Sequence, residues 1–329
     1  MIRQQAFGEK KMLKGVTHFH TTRSDGKVDP GDAIRIYHQH GYDFVAMTDH
    51  RVYNFKNYAP EVPMTIIPGM EYDCTHIKDE WGFKCFHTVT IGPLKEDGNP
   101  HEQDQFFDKH INPTQGDYQY YLDGFEDKGQ LTIHCHPHWS STPPNYFKDL
   151  KGITAFEVYN HVCNYESRED FDNGAYWDEL LGKGKVLWGI ASDDAHRPEH
   201  FCGGWIMVNA DNNVNSILDA IRKGKFYAST GPVINDFYID DEGNVHVECE
   251  EAALVSLHCD KHPGKTLRPQ NGEEFVTHVT HNIMDGDFKW EYVRACVVGK
   301  DGKLAWTNPI FLNEQKFGEY CQNQVGTKN

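Results

Sequence analysis

The chain has 329 residues, 32 of them basic and 49 acidic, for a formal net charge of −17; that length holds one barrel-sized domain with an appendage or two medium domains. Such an acidic balance opposes attraction to phosphate backbones and argues against a general nucleic-acid binder, leaving short oligonucleotides open. Hydrophobic (38%) and charged (25%) fractions are globular values, and no stretch approaches the ~20 consecutive apolar residues of a membrane-spanning helix.

Near the start, residues 14–17 read as a short buried strand that ends in His18 and His20. The stretch DPGDAIRIYHQHG then predicts a helix, with Asp29 as N-cap, Pro30 at the first helical position and Gly41 as the stop. A second apolar strand, 44–47, ends in Asp49 and His50, and the pattern recurs along the chain. Residues 65–67 lead into PGME, 88–91 follow His87, 131–133 lead into HCHPH, 155–158 contain Glu157, and 186–190 lead into ASDDAH. Strands alternating with helical stretches predict a parallel sheet, and a barrel would bring all its strand ends to one rim. The insert between Pro93 and Gln130 is too rich in Phe and Tyr for a flexible linker and reads as a helical excursion over the site.

After residue 230 the texture changes to alternating strands, NVHVECE, AALVSLHCD and YVRACVVG, with turns at Glu242-Gly243 and Asp301-Gly302. The expected organisation is an α/β domain over residues 10–230 followed by a small antiparallel β-domain over 231–329. The N-terminus, MIRQQAFGEKKML, lacks the apolar run of a secretory signal, and nine cysteines without a repeated CxxC pattern read as reduced thiols. Both point to a cytoplasmic address.

Histidine is the unusual number, at 20, because neutral imidazole is the commonest nitrogen ligand for transition metals. His18-x-His20 alone is weak evidence, and His38 and His40 suit the end of their helix as cations facing its dipole. The series gains force in order: His18, His20, Asp25 within Ser24-Asp25-Gly26, His50, Glu71, His87, His136 followed by Pro137, Glu157, and Asp194 with His196.

This ordered set resembles the PHP (polymerase and histidinol phosphatase) family of metal-dependent phosphoesterases over roughly residues 14–200. The resemblance implies a distorted (β/α)7 barrel with two or three divalent ions at the strand C-termini. Carried over by position, His18, His20, Glu71 and Asp194 would hold the first ion. Glu71 would bridge to a second, held by His87 and His136, and Asp25, His50 and His196 would hold a third. Zn, Mn and Fe all suit such ligands. The implied reaction is hydrolysis of a small phosphomonoester or phosphodiester by a metal-bridging hydroxide.

Around these positions, Asp49 is a candidate for orienting an imidazole and His161 for protonating a leaving oxygen. Arg197, Asn160 and His138 are candidates for substrate binding, Arg197 because a guanidinium forks onto phosphate. His134 shares a strand face with His136 and stays open as a ligand. GKFYASTGP and RACVVGKDGKLAWTNPIFL resemble the end of carbaryl-hydrolase-type (CehA/McbA-like) metallohydrolases, which keeps a carbamate or carboxylic ester open as the bond cut. A third alternative is an inactive metal-binding module whose β-domain binds a ligand.

Overall fold

Asp29, Pro30 and Gly41 act as the sequence predicts. Asp29 accepts a hydrogen bond from the Gly31 amide at 2.9 Å, α1 runs Pro30–Gln39, and Gly41 leaves it at φ +77°. The computed structural model describes residues 4–324 apart from 6, 8, 9, 81, 100–114, 168–171, 261–263, 271 and 285–288. The chain is an α/β protein built on two mixed sheets.

In the larger sheet Met12–Val16, Phe44–Ala46 and Thr65–Ile67 run parallel, and Trp205–Asn209 joins the first of them antiparallel. In the smaller sheet Leu131–His134, Ile153–Asn160 and Trp188–Ser192 are parallel. Phe44–Ala46 and Trp188–Ser192 are buried at every residue, which is why they read as unbroken apolar runs.

The expectation of an all-parallel sheet fails at Gly69–Asp79 and Gly82–Ile91, which form a long antiparallel hairpin; Gly82–Ile91 also pairs antiparallel with Leu131–His134. Too few residues separate these two strands for the crossover that a parallel pair requires. The ladders therefore do not form one ring of parallel neighbours. Instead, isolated bridges Phe19↔Ala195, His50↔Glu71 and Asn54↔Gly69 stitch the two sheets together.

Residues 100–114 of the aromatic insert lie outside the described residues. After them comes a helix, α2, at Gln115–Glu126, which buries Tyr118, Leu122 and Phe125 in the core at helical spacing. No described helix is long and apolar enough to cross a membrane. No disulfide joins the cysteines whose side chains are described.

Beyond residue 230, Ile234–Ile239, Asn244–His258, Val276–Asn282 and Tyr292–Gly299 are antiparallel neighbours. The larger sheet nonetheless runs across the expected boundary, because Phe226–Ser229 pairs with Leu304–Thr307. Trp306, Phe311 and Phe317 pack in the same core as Trp177 and Ile190.

One buried ion pair fastens the two parts. Arg294, 1% exposed, donates from Nε and Nη2 to Asp178 of α4 (Gly174–Gly182) at 2.7 and 2.6 Å. Tyr292 Oη and His258 Nδ1 each approach the same carboxylate at 3.1 Å. Burial alone would raise the Asp178 pKa, but Arg294 and His258 outweigh it and hold the group at about 2. Replacing Arg294 by Met strands this carboxylate and should cost about 3–5 kcal/mol of stability in urea unfolding at pH 7. Because the folded pKa is depressed, the pair's contribution is complete above the unfolded value and fades as pH falls from about 4 toward 2. The deficit of the Arg294→Met variant should shrink over that window; a pH-independent deficit would mean lost packing alone.

Candidate metal centre

The bridges that join the sheets are made by the segments that carry the candidate ligands. Phe19, between His18 and His20, meets Ala195, between Asp194 and His196, while His50 meets Glu71. Backbone bonds His20 N to Ala195 O and Asp194 N to His18 O, both 2.9 Å, tie the same seam.

Four donors converge there. His18 Nε2 and His20 Nε2 lie 3.2 Å apart. Glu71 Oε2 is 3.4 and 3.1 Å from these nitrogens, and Asp194 Oδ1 is 3.3 and 3.2 Å from them. Ligands ~2.0–2.1 Å from a tetrahedral ion are separated by roughly 3.3–3.4 Å, so the spacings suit one divalent cation. Glu71 Oε2 is buried and makes no well-aligned hydrogen bond among the described residues, although nitrogens of His18, His20 and His50 lie 3.1–3.4 Å from it. A buried carboxylate oxygen in that state favours positive charge beside it, from imidazolium or from a metal ion, to offset its desolvation.

The other oxygen of Glu71 faces a second pair, His87 Nδ1 at 2.9 Å and His136 Nε2 at 3.6 Å. Asp25 gathers a third group: His20 Nδ1 at 3.4 Å, His196 Nε2 at 3.5 Å and His50 Nε2 at 3.6 Å. Gly26 makes this approach possible, since a Cβ there would lie 2.6 Å from the His20 carbonyl. The structure thus brings all nine sequence-derived positions, His18, His20, Asp25, His50, Glu71, His87, His136, Asp194 and His196, into one connected cluster. Its donor set of imidazoles and carboxylates can hold Zn, Mn or Fe.

Glu157 organises the floor. Its Oε1 accepts from His18 Nδ1 at 2.7 Å and from Ser192 Oγ, and its Oε2 accepts from the His136 amide and Asn160 Nδ2, each at 2.8 Å. Orientation of a ligating imidazole by a carboxylate fixes its tautomer and raises its basicity. Ser140 Oγ, 2.9 Å from His136 Nδ1, and the Asp194 carbonyl, 2.7 Å from His196 Nδ1, do the same for two other rings. His136 and Asp194 take φ of +30° and +53°, left-handed values rarely adopted by residues with side chains.

The charge balance shows what the cluster attracts. Burial alone would lower the pKa of His20, but the adjacent Asp194 and Glu71 carboxylates outweigh that and push it up to about 10. His18 is raised against the same burial penalty by Asp194, Glu157 and Glu71. Glu71 is held well below the usual carboxylate range, burial being overcome by His50, His18 and His87. Such a site attracts positive charge, from protons or from metal ions in competition with them.

The remaining candidates have other places. Asp49 spends its carboxylate on the Thr21 amide and hydroxyl, Ser24 Oγ and Asn54 Nδ2 at 2.7–2.9 Å, shaping the loop that carries Asp25 rather than orienting an imidazole. Asn160 accepts from the Cys163 amide and donates to Asp194 Oδ2 at 3.1 Å, so it positions a candidate ligand from the start of α3 (His161–Ser167). His161 bonds Tyr159 Oη at 3.1 Å and lines a separate 540 Å³ cavity. His138 lines another, of 470 Å³. His134 has both nitrogens engaged, with Tyr118 and Thr142, and burial holds its pKa near 3.

A cleft of 650 Å³ opens over the cluster, with Lys27, Trp139 and Arg197 among its walls. Sequence reasoning found Arg197 but passed over Lys27 and Trp139. The signal for Trp139 was available: an aromatic residue two positions beyond the His-Pro step. Asp73, 3.6 Å from His50 Nδ1, was also missed although it lies two residues from Glu71, on the same face of its strand.

No protein-family model matches the chain, and no curated protein does. Among solved structures it is similar to a two-domain protein containing a predicted PHP-like metal-dependent phosphoesterase from Bacteroides vulgatus, at 17% identity and a TM-score of 0.47, over 92% of this chain and 96% of that one. It is also similar to an amidohydrolase from Chromobacterium violaceum with bound sulfate and no metal, at 12% identity and 0.38, over 56% and 88%. A third, a candidate metal-dependent phosphoesterase from Bifidobacterium adolescentis, aligns at 12% identity and 0.35, over 57% and 89%.

Glu157→Gln should lower metal affinity 10- to 100-fold, the usual cost of losing an orienting carboxylate, with the fold retained. Competition with a chromogenic chelator measures this, and unchanged affinity would reduce Glu157 to a packing role.

Proposed function

We propose that the chain is a PHP-type metal-dependent phosphoesterase that hydrolyses a small phosphomonoester or phosphodiester. His18, His20, Glu71 and Asp194 hold one ion in this reading. His87 and His136 hold a second through the shared Glu71, and Asp25, His50 and His196 hold a third. We read the two stitched sheets as an opened form of the (β/α)7 barrel, with residues beyond 230 as its β-rich companion. Divalent ions held in such a site acidify water and draw negative charge from phosphoryl oxygens.

The observation that carries the phosphoester over a neutral ester is the pair of cations in the cleft. Lys27 and Arg197 both line it, and neither has an ion pair or side-chain hydrogen bond among the described residues. In a chain with 49 acidic residues against 32 basic ones, two cations without an ion pair among the described residues, beside a cluster of candidate metal ligands, suit an anionic group. Arg197 can take two phosphate oxygens at once, and Lys27 adds a point charge. His18 and His20 stay oriented by Glu157 and the Asp25 loop, and Asn160 steadies Asp194.

Purified protein should contain two or three divalent ions per chain by elemental analysis and show chelator-sensitive hydrolysis of a chromogenic phosphomonoester or phosphodiester. Glu71→Ala and His87→Ala should lose metal and turnover together; full activity at reduced metal content would refute the ligand assignment. Removing the cation in Lys27→Met or Arg197→Met should raise KM roughly 10- to 100-fold, as expected for a charge-assisted hydrogen bond, with metal content unchanged. Turnover of carbamates or carboxylic esters without any phosphoester activity would move the assignment to that alternative.

A further inference from the structure

Trp139 stays 54% exposed in the wall of the cleft. Its indole lies 4.8 Å from the His136 ring and 5.9 Å from His87, centroid to centroid, inclined 78° and 56° to them, so it stacks on neither. The turn beneath it is fixed by Ser140 N to His136 O at 3.0 Å, Ser141 N to His138 O at 2.9 Å and Thr142 N to Pro137 O at 2.8 Å. A large apolar side chain held in the open on a bonded turn adds little to the core, and in the wall of a cleft it offers an aromatic face to a ligand.

The cleft is lined by different chemistry beside different residues. The Lys27 amide bonds the His196 carbonyl at 2.7 Å and Arg197 directly follows His196, so the backbones that carry both cations are fixed beside His196. The indole stands against His87 and His136. A ligand with its anionic group at the cations and its organic portion toward His87 and His136 meets a flat aromatic surface. Resting on the phosphoester reading, we infer that Trp139 is a specificity-determining residue that stacks a flat aromatic group of the substrate, making aryl or heteroaryl phosphoesters the preferred class.

Phenylphosphonate and methylphosphonate, which carry no hydrolysable ester, separate this contact from chemical reactivity. Each is measured as an inhibitor of whichever model phosphoester the metal-loaded enzyme turns over. The unaltered enzyme should bind the phenyl compound at least about tenfold more tightly, the scale of an aromatic contact plus its area burial. Trp139→Ala should bring the two inhibition constants together by weakening only the phenyl compound, and Trp139→Phe should restore most of the preference. Two inhibition constants that differ little in the unaltered enzyme, or a preference that survives in Trp139→Ala, would overturn the inference while leaving the phosphoesterase reading intact. Equal weakening of both compounds with loss of metal would also overturn it, showing that the indole only shields His87 and His136. Absence of any phosphoester turnover in the metal-loaded enzyme would instead remove the reading on which the inference rests.

Discussion

Two buried carboxylates, Glu71 and Asp194, set the terms for the structure around them. Glu71 is 1% exposed and Asp194 5%, and imidazole nitrogens approach them at 2.9–3.9 Å from five different segments of the chain. Isolated in a protein interior, such charges would cost several kcal/mol each. Converging donors make the position tenable only with added positive charge, which is the condition for a metal centre and also for its competition with protons.

The fold meets this demand by putting the seam between its sheets where the charges are. His50↔Glu71 and Phe19↔Ala195 are at once the bridges that join the sheets and the backbone that aims the ligands. His136 and Asp194 hold left-handed φ values that each cost about 1–3 kcal/mol. Hydrogen bonds offset that strain: the His136 amide to Glu157, and the Asp194 amide to His18 O. Glu157, which touches His18, His136, Asn160 and Ser192, ties two candidate ligands from separate segments to one carboxylate.

The C-terminal strands belong to the same physical system. Leu304–Thr307 extends the sheet through Phe226–Ser229, Trp306 enters the main core, and Arg294 is neutralised by Asp178 of α4. A side chain as costly to bury as Arg294 fixes where the C-terminal strands sit against α4.

By itself the sequence determined which residue types could bind metal and roughly where most strands of the first 230 residues would lie. The order from His18 to His196 is legible because short apolar runs stop at polar, ligand-capable residues. The helix at 30–39 is legible because Asp29, Pro30 and Gly41 act through local backbone geometry. Only the tertiary structure decided how sheets and side chains combine. Strand direction at Gly69–Ile91 depends on how little chain separates the pair, and the continuity of the sheet past residue 230 depends on pairing between distant segments. Asp49 and Asn160 turned out to support the segments that carry candidate ligands, and His161 and His138 to line other cavities, because residue type fixes what a side chain can bond but not which neighbours it meets. Lys27 and Trp139 carry no motif, and their meeting in the walls of one cleft arises from long-range contacts that no local pattern encodes.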